Sequence, residues 1–275
     1  MKDIEPYFSI ITVVKNAEYT IERCILSVIE CKLKLPTSAI LEYIIVDGDS
    51  SDRTKSIISK YTDIVIDKYI SEKDLGISDA FNKGFIYAKG EWVLYLNADD
   101  WLCSECLQLS IPYLIKINPE VTFVTGAVNL WENENLITLS YSRVKTLSRE
   151  SSLHHAATLI RSKNILNEEK FRLDLKYAMD YEFFLRLIVF KKHFVKTLPI
   201  VFANRTLSGI SYRNYKLALQ ETKFIRLKYY SVLNSNFWYY FAGFKIRIGI
   251  FLKRNNHFLT IYRFTWSLWN KKFYD

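Results

Sequence analysis

Strands and helices alternate along the first half of the chain, and this alternation most constrains its fold. Five short apolar runs, rich in β-branched and aromatic residues, have the length of buried strands, and segments with a helical period separate them. Such alternation predicts right-handed βαβ units and a mostly parallel α/β sheet flanked by helices. The predicted strands cover residues 8–14, 43–46, 64–66, 92–96 and 121–128.

Helices are predicted between these strands, where apolar positions recur every three or four residues. Thr20 is the predicted N-cap of the first helix, and Gly90 is the predicted C-terminal stop of the third. Beyond Leu130 the pattern loosens. The predicted helices cover residues 21–29, 50–60, 79–89, 103–117 and 178–191, with further strands over 138–142 and 198–202 and a helical tail from 212.

The composition is that of a globular chain long enough for one or two domains. Of its 275 residues 49% are hydrophobic, and eight Gly and five Pro argue against disorder. The charged start does not resemble a signal peptide, and no uninterrupted apolar run approaches the roughly 18 residues that a membrane span requires. We therefore expect a cytoplasmic protein whose four cysteines are reduced thiols in the core.

Polar and acidic residues directly follow three of the predicted strands. Asn16 follows the first strand, Asp47 the second, and Asn97, Asp99 and Asp100 the fourth. The carboxyl ends of parallel strands share one edge of a sheet, where open α/β folds bind ligands. Carboxylate and amide oxygens are ligands that Mg²⁺ and Mn²⁺ prefer. The pattern indicates a metal-assisted site, and the alternative is that Asp99 or Asp100 caps the following helix.

Glycine loops that cradle phosphates are absent from the sequence. Neither GxGxxG nor GxxxxGK[ST] occurs, which argues against a dinucleotide fold and a P-loop. An acidic rim without such a loop indicates that phosphates are held through a divalent cation. In the second acidic segment Asp52 is the expected helix cap, and Asp47 at the strand end is the functional candidate.

Four motifs stand in a fixed order in the first half of the chain. They are FSIITVVKN at 8–16, EYIIVDGDSSDRT at 42–54, SEKDLGISDAFNKG at 71–84 and LNADD at 96–100. Together these motifs resemble family 2 glycosyltransferases with the GT-A fold, and especially bacterial exopolysaccharide and O-antigen enzymes of the colanic acid type. The resemblance implies a GT-A (Rossmann-like) domain over 1–215, with a nucleotide-binding half of about 1–130 and an acceptor half of about 131–215, and a helical, basic and aromatic extension over 216–275.

The resemblance also implies roles for single residues. Asp99 and Asp100 match the motif that binds a metal and a diphosphate, with Mg²⁺ or Mn²⁺ as the cofactor, and Asp180 matches the general base. On a strand only one of the adjacent His154 and His155 would face the site, and the resemblance selects His155, near the acceptor or diphosphate. Arg186 is implied to support Asp180 there. The residues implied to bind the nucleotide-sugar are Val13, Asn16, Asp47, Asp79, Lys83, Asn97 and Asp99.

A protein with this resemblance is expected to transfer a sugar from a nucleoside-diphosphate sugar, most simply a UDP-sugar, to a glycan or polyprenyl-linked acceptor with inversion. The expected setting is cell-surface polysaccharide synthesis, such as that of O-antigen or capsule. The Gln-x-x-Arg-Trp element of processive synthases is absent, so we expect one sugar per encounter. The segment 208–211 resembles the Gly-Gly-x-Ser flap of such enzymes but lacks its first glycine.

Two other classes of protein stay open. A nucleotidyltransferase is also an α/β enzyme with metal-binding Asp residues, although it usually needs a Gly-rich basic loop that residues 13–16 do not provide. An inactive glycan-binding or scaffold protein is the other alternative, and the presence of Asp47, Asp99, Asp100 and Asp180 argues against it.

The net charge of +9 lies entirely in the tail. Residues 223–275 hold ten Lys or Arg and one acid, which leaves 28 basic and 28 acidic residues in 1–222. Aromatic and basic residues together are typical of an interfacial segment, and Lys245 and Arg247 interrupt the apolar stretch. We therefore expect 222–275 to bind the anionic cytoplasmic face of the inner membrane peripherally, with no nucleic-acid partner. The alternative is a tail packed on the body as a helical subdomain.

Overall fold

A computed structural model describes residues 5–254, with the exception of 133 and 208. In this part of the chain nine strands form one sheet. They are β1 (Phe8–Val14), β2 (Leu41–Asp47), β3 (Lys68–Ser71), β4 (Trp92–Asn97), β5 (Trp101–Leu102), β6 (Val121–Glu132), β7 (Asn135–Tyr141), β8 (Thr158–Arg161) and β9 (Phe194–Thr206).

The described residues also form eight α-helices, three short 3₁₀ turns and one π-helical segment. The π-helix, Leu185–Phe190, continues directly from the fifth α-helix. The helices are α1 (Ile21–Lys34), α2 (Thr54–Ser59), α3 (Ile77–Tyr87), α4 (Cys106–Leu114), α5 (Met179–Phe184), α6 (Ile210–Arg213), α7 (Tyr215–Tyr229) and α8 (Val232–Arg254).

The strands follow the order β3-β2-β1-β4-β8-β6-β9-β5. The remaining strand, β7, pairs antiparallel with the second half of β6, residues 127–132. The pairs among β1 to β4 are parallel, β8 lies antiparallel between β4 and β6, and β9 is parallel to β6. This arrangement confirms the predicted α/β sheet, mostly parallel and flanked by helices. It also places the carboxyl ends of β1, β2 and β4 on one edge.

The first, second and fourth strands are buried almost throughout. All seven residues of β1 are buried, and Phe8, Tyr43 and Trp92 are among the large side chains with no exposed surface. Strands covered on both faces by helices read as continuous apolar runs rather than alternating ones. This is why the sequence predicted these three strands nearly to the residue.

The third strand lies outside its predicted range. The N–H groups of Ile64 and Val65 donate to the Tyr61 carbonyl over 3.1 Å, so this segment is a turn, and β3 begins at Lys68. Val65 and Ile66 are nevertheless buried. The apolar run at Val65 and Ile66 therefore indicates burial in the core, although these residues form no strand.

Several predicted helices have different ends. The helix predicted over 50–60 is shortened to α2. The helix predicted over 103–117 is shortened to α4, and the chain before it pairs with β9 through Trp101–Leu102. The helix predicted over 178–191 changes to a π-helix after Phe184. The strand predicted over 198–202 is part of the longer β9. Thr20 occupies the N-cap position of α1, but its hydroxyl donates to the Ala17 carbonyl and caps no N–H group.

Gly90 does not stop a helix, because α3 already ends at Tyr87. A Cβ atom added at Gly90 would lie 2.5 Å from the backbone nitrogen of Ser9. Its N–H also donates to Ser9 Oγ over 2.8 Å. Glycine is therefore needed here for the close approach of two backbones.

Contacts divide the chain into two compact units, one through Ala218 and one from Leu219. The first unit contains the whole sheet, and the second contains α8 and most of α7. The part of the predicted basic and aromatic tail beyond 254 lies outside the described residues. In the range that the structure describes, every helix is too short or too polar to cross a membrane.

Candidate functional site

The loops after β1 and β2 are joined at the carboxyl edge of the sheet. The strand register sets Val13 beside Asn97 and Val14 beside Asp47, so the three strand ends are level. Asn16, in the left-handed region with φ of 51°, accepts the Ser51 N–H on Oδ1 over 2.8 Å. The sheet thus brings the predicted nucleotide-side residues of these loops together.

Asp47 is fully buried and organises the loop that follows it. Its carboxylate accepts the Ser50 N–H over 3.1 Å and the Ser71 hydroxyl over 2.7 Å. Asp52 accepts the Thr54 N–H over 3.0 Å just before α2, but Arg53 and not Asp52 occupies the N-cap position of that helix. The implied contact of Asp47 with a base or ribose stays a prediction, because this carboxylate is already enclosed by serine groups.

Asp79 and Lys83 lie one turn apart on α3. Lys83 Nζ is 3.1 Å from Asp79 Oδ2 and 2.8 Å from Glu72 Oε1. Asp79 also accepts the Leu75 N–H over 3.1 Å, so it binds the loop before the helix. Both predicted residues therefore lie together beyond the end of β3, which pairs with β2.

The acidic turn after β4 is held by the end of β9. The Thr206 N–H donates to Asp100 Oδ1 over 3.3 Å, and its hydroxyl donates to Asp99 Oδ2 over 3.4 Å. Asp100 is buried, whereas Asp99 is partly exposed. Glu105 is the N-cap of α4, so neither aspartate caps that helix. Both carboxylates instead face β9.

Burial and a nearby arginine act in opposite directions on Asp100. Burial raises the pKa of its carboxyl group to about 7, while the Arg205 guanidinium, with Nε 3.6 Å from Oδ2, favours the carboxylate. A buried carboxylate that is not hydrogen-bonded to its counter-ion is costly. Asp100 is therefore disposed to accept a proton or a cation.

Asp180, the second residue of α5, meets a histidine from a distant segment. Its Oδ2 is 3.2 Å from His155 Nδ1, and its Oδ1 accepts the Tyr181 N–H over 2.7 Å. Burial pushes the pKa of Asp180 upward, but the hydrogen bond and charge of His155 outweigh it and hold the pKa below its ordinary value. Asp180 is thus a carboxylate at neutral pH, and Ala178, not Asp180, occupies the N-cap position.

His154 also reaches the site, through Arg205. Its Nε2 is 2.9 Å from Ser140 Oγ, and its Nδ1 is 3.1 Å from Arg205 Nη1. A guanidinium only donates, so Nδ1 accepts and the ring is neutral. Burial, reinforced by Arg205 and His155, lowers the pKa of His154 well below its ordinary value. The premise that this pair lies on a strand is wrong, because His154 is the N-cap of a 3₁₀ turn that begins at His155. The roles of the two histidines stay predictions.

Four buried polar atoms of this cluster have no hydrogen-bond partner among the described residues. Asn97 Oδ1 and Asp100 Oδ2 are acceptors, Arg205 Nε is a donor, and His155 Nε2 takes either role with its protonation. Buried polar atoms are nearly always paired, so such a group marks a place for a ligand. The acceptors suit a cation, and the donor suits an anion.

The residues present fit part of a divalent-cation site. Asn97, Asp99 and Asp100 offer the hard oxygen ligands that Mg²⁺ and Mn²⁺ prefer. Over 5–254, apart from the two omitted positions, no three His, Cys, Asp or Glu side chains are grouped closely enough to hold a metal. Mg²⁺ commonly binds one or two carboxylates and completes its shell with substrate phosphates and water. The acidic turn therefore suits a cation that arrives with phosphate.

Arg186 has a different partner from the implied one. Its Nε lies 2.9 Å from Glu182 Oε1, and its Nη2 donates to the Lys170 carbonyl over 2.7 Å. Glu182 has no exposed surface, and a buried carboxylate needs such a counter-ion. Arg186 therefore compensates Glu182 inside the fold, and its contacts do not include Asp180.

The loop after β9 borders the acidic turn. A Cβ atom added at Gly209 would lie 3.4 Å from Asp99 Oδ2, and Ser211 Oγ donates to the Tyr177 carbonyl over 2.9 Å. Ser208, which stands in place of the first glycine of the resembling flap, lies outside the described residues. Gly209 of the resembling segment thus lies beside Asp99 in the acidic turn.

Sequence reasoning missed Arg205, Thr206 and His154. Thr206 lies 106 residues from Asp100 in the chain, and only the antiparallel pairing of β5 with β9 brings the two strand ends together. The one available signal was a polar and basic stretch, residues 204–206, at the end of an apolar strand.

Comparison with known proteins gives a family match over most of this site. The model described as Glycosyl transferase family 2 matches residues 9–184. A curated relative, the UDP-Glc:alpha-D-GlcNAc-diphosphoundecaprenol beta-1,3-glucosyltransferase WfgD of Escherichia coli, is 30% identical over 129 residues, which are 47% of this chain and 48% of the relative. The chain thus spans about half the length of that relative.

Two solved structures share the fold. TarS of S. aureus in complex with UDP-GlcNAc has a TM-score of 0.60 at 18% identity, and the match covers 79% of this chain and 65% of the TarS chain. The mannosyltransferase PcManGT from Pyrobaculum calidifontis, in complex with GDP-Man and Mn²⁺, has a TM-score of 0.59 at 18% identity, and the match covers 80% of this chain and 61% of the PcManGT chain. Likeness at this identity shows the fold alone.

Proposed function

The chain belongs to glycosyl transferase family 2, and we propose on this premise that it transfers a single sugar from a nucleoside-diphosphate sugar to a hydroxyl group of a glycan or lipid-linked acceptor. A UDP-sugar is the proposed donor, because the WfgD relative is named for UDP-Glc and the TarS neighbour holds UDP-GlcNAc. The name of WfgD supports a polyprenyl-diphosphate-linked acceptor. The proposed setting is cell-surface polysaccharide synthesis, such as that of O-antigen or capsule.

One observation carries this proposal: two acidic centres from distant segments meet at one site. The turn of Asp99 and Asp100 suits a phosphate-bound cation, and the pair of Asp180 and His155 suits a base. A chain of contacts links the two centres: Arg205 lies 3.6 Å from Asp100 and 3.1 Å from His154, and the neighbouring His155 lies 3.2 Å from Asp180. A transferase needs a donor side and an acceptor side held together in this way.

Asp180 is the proposed general base. Its carboxylate takes the proton of the acceptor hydroxyl, whose oxygen attacks the anomeric carbon as the bond to the donor diphosphate breaks. The electron pair of that bond leaves with the diphosphate, and a single in-line displacement inverts the configuration. Mg²⁺ or Mn²⁺ held by Asp99 and Asp100 would neutralise charge on the diphosphate. The support for a metal is the acidic turn and the Mn²⁺ complex of the PcManGT neighbour.

The donor nucleotide is proposed to lie along the carboxyl edge of β1 and β2. Val13 and Asn16 reach this edge from β1, Asp47 shapes the loop after β2, and Asp79 and Lys83 border it from α3. The unpaired amide oxygen of Asn97 lies between this edge and the acidic turn.

A screen of nucleotide sugars for hydrolysis and transfer, with Mg²⁺ or Mn²⁺, tests the proposal. We expect release of a nucleoside diphosphate, UDP in the first instance. Release of pyrophosphate would indicate a nucleotidyltransferase instead. Calorimetry with UDP and Mn²⁺ gives a second test, and absence of binding would contradict the enzyme assignment.

The second unit carries an exposed apolar stripe, and we propose that it lies on an anionic membrane. Successive steps of four, three, four and four residues along α8 keep the stripe within an arc of about 80°. Its members are 39 to 83% exposed. They are Leu233, Phe237, Tyr240, Phe244 and Ile248.

Charge complementarity favours an anionic membrane as the partner of the stripe. From 222 to 254 the sequence has seven Lys or Arg and no acid, and Arg247 directly precedes Ile248, the last member of the stripe. Each basic residue near an anionic surface contributes about 1 kcal/mol. Such a segment would hold the protein peripherally on the cytoplasmic face of the inner membrane, near a lipid-linked acceptor.

Flotation with liposomes tests the membrane proposal. We expect the full chain to float with vesicles that contain anionic lipid at low salt, and to lose binding as salt is raised. A full chain that ignores such vesicles would contradict the proposal, and so would a chain cut after Leu219 that binds them equally well.

A further inference from the structure

We infer that Arg205 binds the diphosphate of the donor, and that His154 positions it for this task. The inference rests on the function proposed above, because it takes the bound anion to be the diphosphate of a nucleotide-sugar. It adds two residues, from β9 and from the turn before β8, to those that the sequence motifs indicate.

The guanidinium of Arg205 uses little of its hydrogen-bonding capacity within the protein. It has five N–H groups in a planar fork. Among the described residues its one hydrogen bond goes to His154, and Nε, although buried, has no acceptor. The side chain is still 29% exposed. Arg205 is therefore an arginine with unused donors at a surface that solvent or a ligand can reach.

A comparison within the chain separates Arg205 from an arginine that only compensates a buried acid. Arg186 meets the buried Glu182 with two hydrogen bonds, of 2.9 and 3.2 Å. Arg205 Nε stays 3.6 Å from Asp100 Oδ2, and both of these atoms lack a hydrogen-bond partner. An arginine whose task was to satisfy Asp100 would close this gap. The open pair instead leaves a donor and an acceptor side by side.

The position of Arg205 indicates which anion fits. Its charge acts on Asp100 at the proposed metal side and on Asp180 at the proposed base side. The β-phosphate of a nucleotide-sugar lies between these sides, because it carries the anomeric carbon that the acceptor attacks. A guanidinium fork matches the paired oxygens of a phosphate, and such charge-assisted bonds are strong. Arg205 is thus set to stabilise the departing diphosphate.

His154 fixes the direction of this fork. Its Nε2 meets Ser140 Oγ over 2.9 Å, which leaves the lone pair of Nδ1 to accept from Arg205 Nη1 over 3.1 Å. A partly buried neutral ring with both nitrogens engaged cannot turn without breaking one of these contacts. His154 is therefore a positioning residue that acts through Arg205 and touches no substrate.

The test compares UDP with UMP, which lacks the β-phosphate, by calorimetry in the presence of Mn²⁺. Arg205→Gln is expected to weaken UDP binding about 10- to 100-fold, the scale of a lost hydrogen bond between charged groups. UMP binding is expected to change by less than about threefold. Arg172→Gln is the matched control, because Arg172 is similarly exposed and also pairs with a carboxylate, that of Asp174, and we expect it to leave both affinities unchanged.

Variants of His154 test the positioning role. His154→Leu should weaken UDP binding and leave UMP binding nearly unchanged, and His154→Gln, whose amide oxygen can accept from Arg205, should restore part of the UDP affinity. The double variant with Arg205→Gln should bind UDP no more weakly than Arg205→Gln alone. Additive losses would overturn the assigned link between the two residues.

The remaining outcomes are decisive in either direction. Wild-type UDP affinity in Arg205→Gln, or equal losses for UDP and UMP, would overturn the inference and leave the proposed function standing. Where circular dichroism shows that Arg205→Gln does not fold, Arg205→Met, which keeps the length of the side chain without its charge, decides, and unchanged UDP affinity in that variant would overturn the inference. Failure of the wild-type protein to bind UDP would contradict the proposed function itself.

Discussion

Asp100, which is buried, and His154, which is partly buried, titrate with opposite effects on the stability of the protein. The folded protein holds a proton on Asp100 up to about pH 7, far above the ordinary aspartate pKa of 3.8, so the contribution of Asp100 to stability falls as pH rises through about 7. The pKa of His154 is depressed by folding, so its contribution falls as pH drops below the ordinary range of histidine. Each residue is therefore tested separately.

Asp100→Asn should raise the melting temperature of the metal-free protein more at pH 8 than at pH 5. The wild-type carboxyl group is charged and buried at pH 8 but protonated at pH 5, whereas asparagine is neutral at both. Calorimetric melting of both proteins at the two pH values measures the difference. Asp63→Asn, at an exposed position, is the control. The same difference at both pH values would show that Asp100 has no raised pKa.

Asp100→Asn should also abolish metal-dependent binding of UDP while the protein stays folded. The substitution removes the charge that attracts the cation but keeps the size of the side chain. Titration with Mn²⁺ and UDP measures this, with circular dichroism as the check on folding. An unchanged Mn²⁺ titration would place the metal elsewhere.

Asp180→Asn should lower turnover by roughly 10²-fold or more, the usual effect of losing a general base. Binding of UDP should hardly change, because Asp180 acts in the chemical step. Steady-state kinetics together with UDP calorimetry separate the two quantities. If affinity and turnover fell by the same factor, Asp180 would have a structural role.

At the scale of elements, the turn between α3 and β4 shows how closely two segments approach. Gly90→Ala should destabilise the protein by about 1–3 kcal/mol, because the new methyl group would collide with the backbone of Ser9. Urea unfolding measures the loss. Lys89→Ala, in the same turn but exposed, should have an effect within about 0.5 kcal/mol. Equal effects of the two substitutions would disprove the close approach.

The apolar stripe of α8 makes a prediction for a single helix face. Phe237→Glu combined with Phe244→Glu should abolish flotation with anionic vesicles, because the two new carboxylates would be repelled by the anionic headgroups and excluded from the apolar lipid chains. Leu33→Glu, which places a carboxylate at an equally exposed apolar position on α1, should float like the wild-type chain. Unchanged flotation of the double variant would remove the stripe from the membrane contact.

At the scale of the whole molecule, the two units are expected to carry separate binding activities. The site residues belong to the unit that ends at Ala218, and the stripe belongs to the unit that begins at Leu219. Asp100→Asn should therefore float normally while failing to bind UDP with metal, and the double Phe variant should bind UDP normally. Loss of both activities in either variant would show that they are not separable.

The sequence by itself determined the central strands and the acidic ends that follow them. β1, β2 and β4 are buried on both faces, and such strands are visible as continuous apolar runs. Because the ends of parallel strands share an edge, Asn16, Asp47 and Asn97 could be expected together. The family motifs added Asp180 and His155, which no local pattern marks, and their roles stay predictions.

Only the tertiary structure decided which residues surround Asp100 and Asp180. β9 pairs with β5, where Trp101 lies opposite Asn204 and Leu102 opposite Ala203, and backbone pairing between segments so far apart in the chain leaves no period or spacing in the sequence. It brings Arg205 and Thr206 to the acidic turn, while a 3₁₀ turn sends His154 to Arg205 and His155 to Asp180. Arg186 was assigned to the wrong carboxylate for the same reason, since its nearness to Glu182 depends on how α5 packs. Local patterns record burial and periodicity, and long-range pairing alone decides which charges meet.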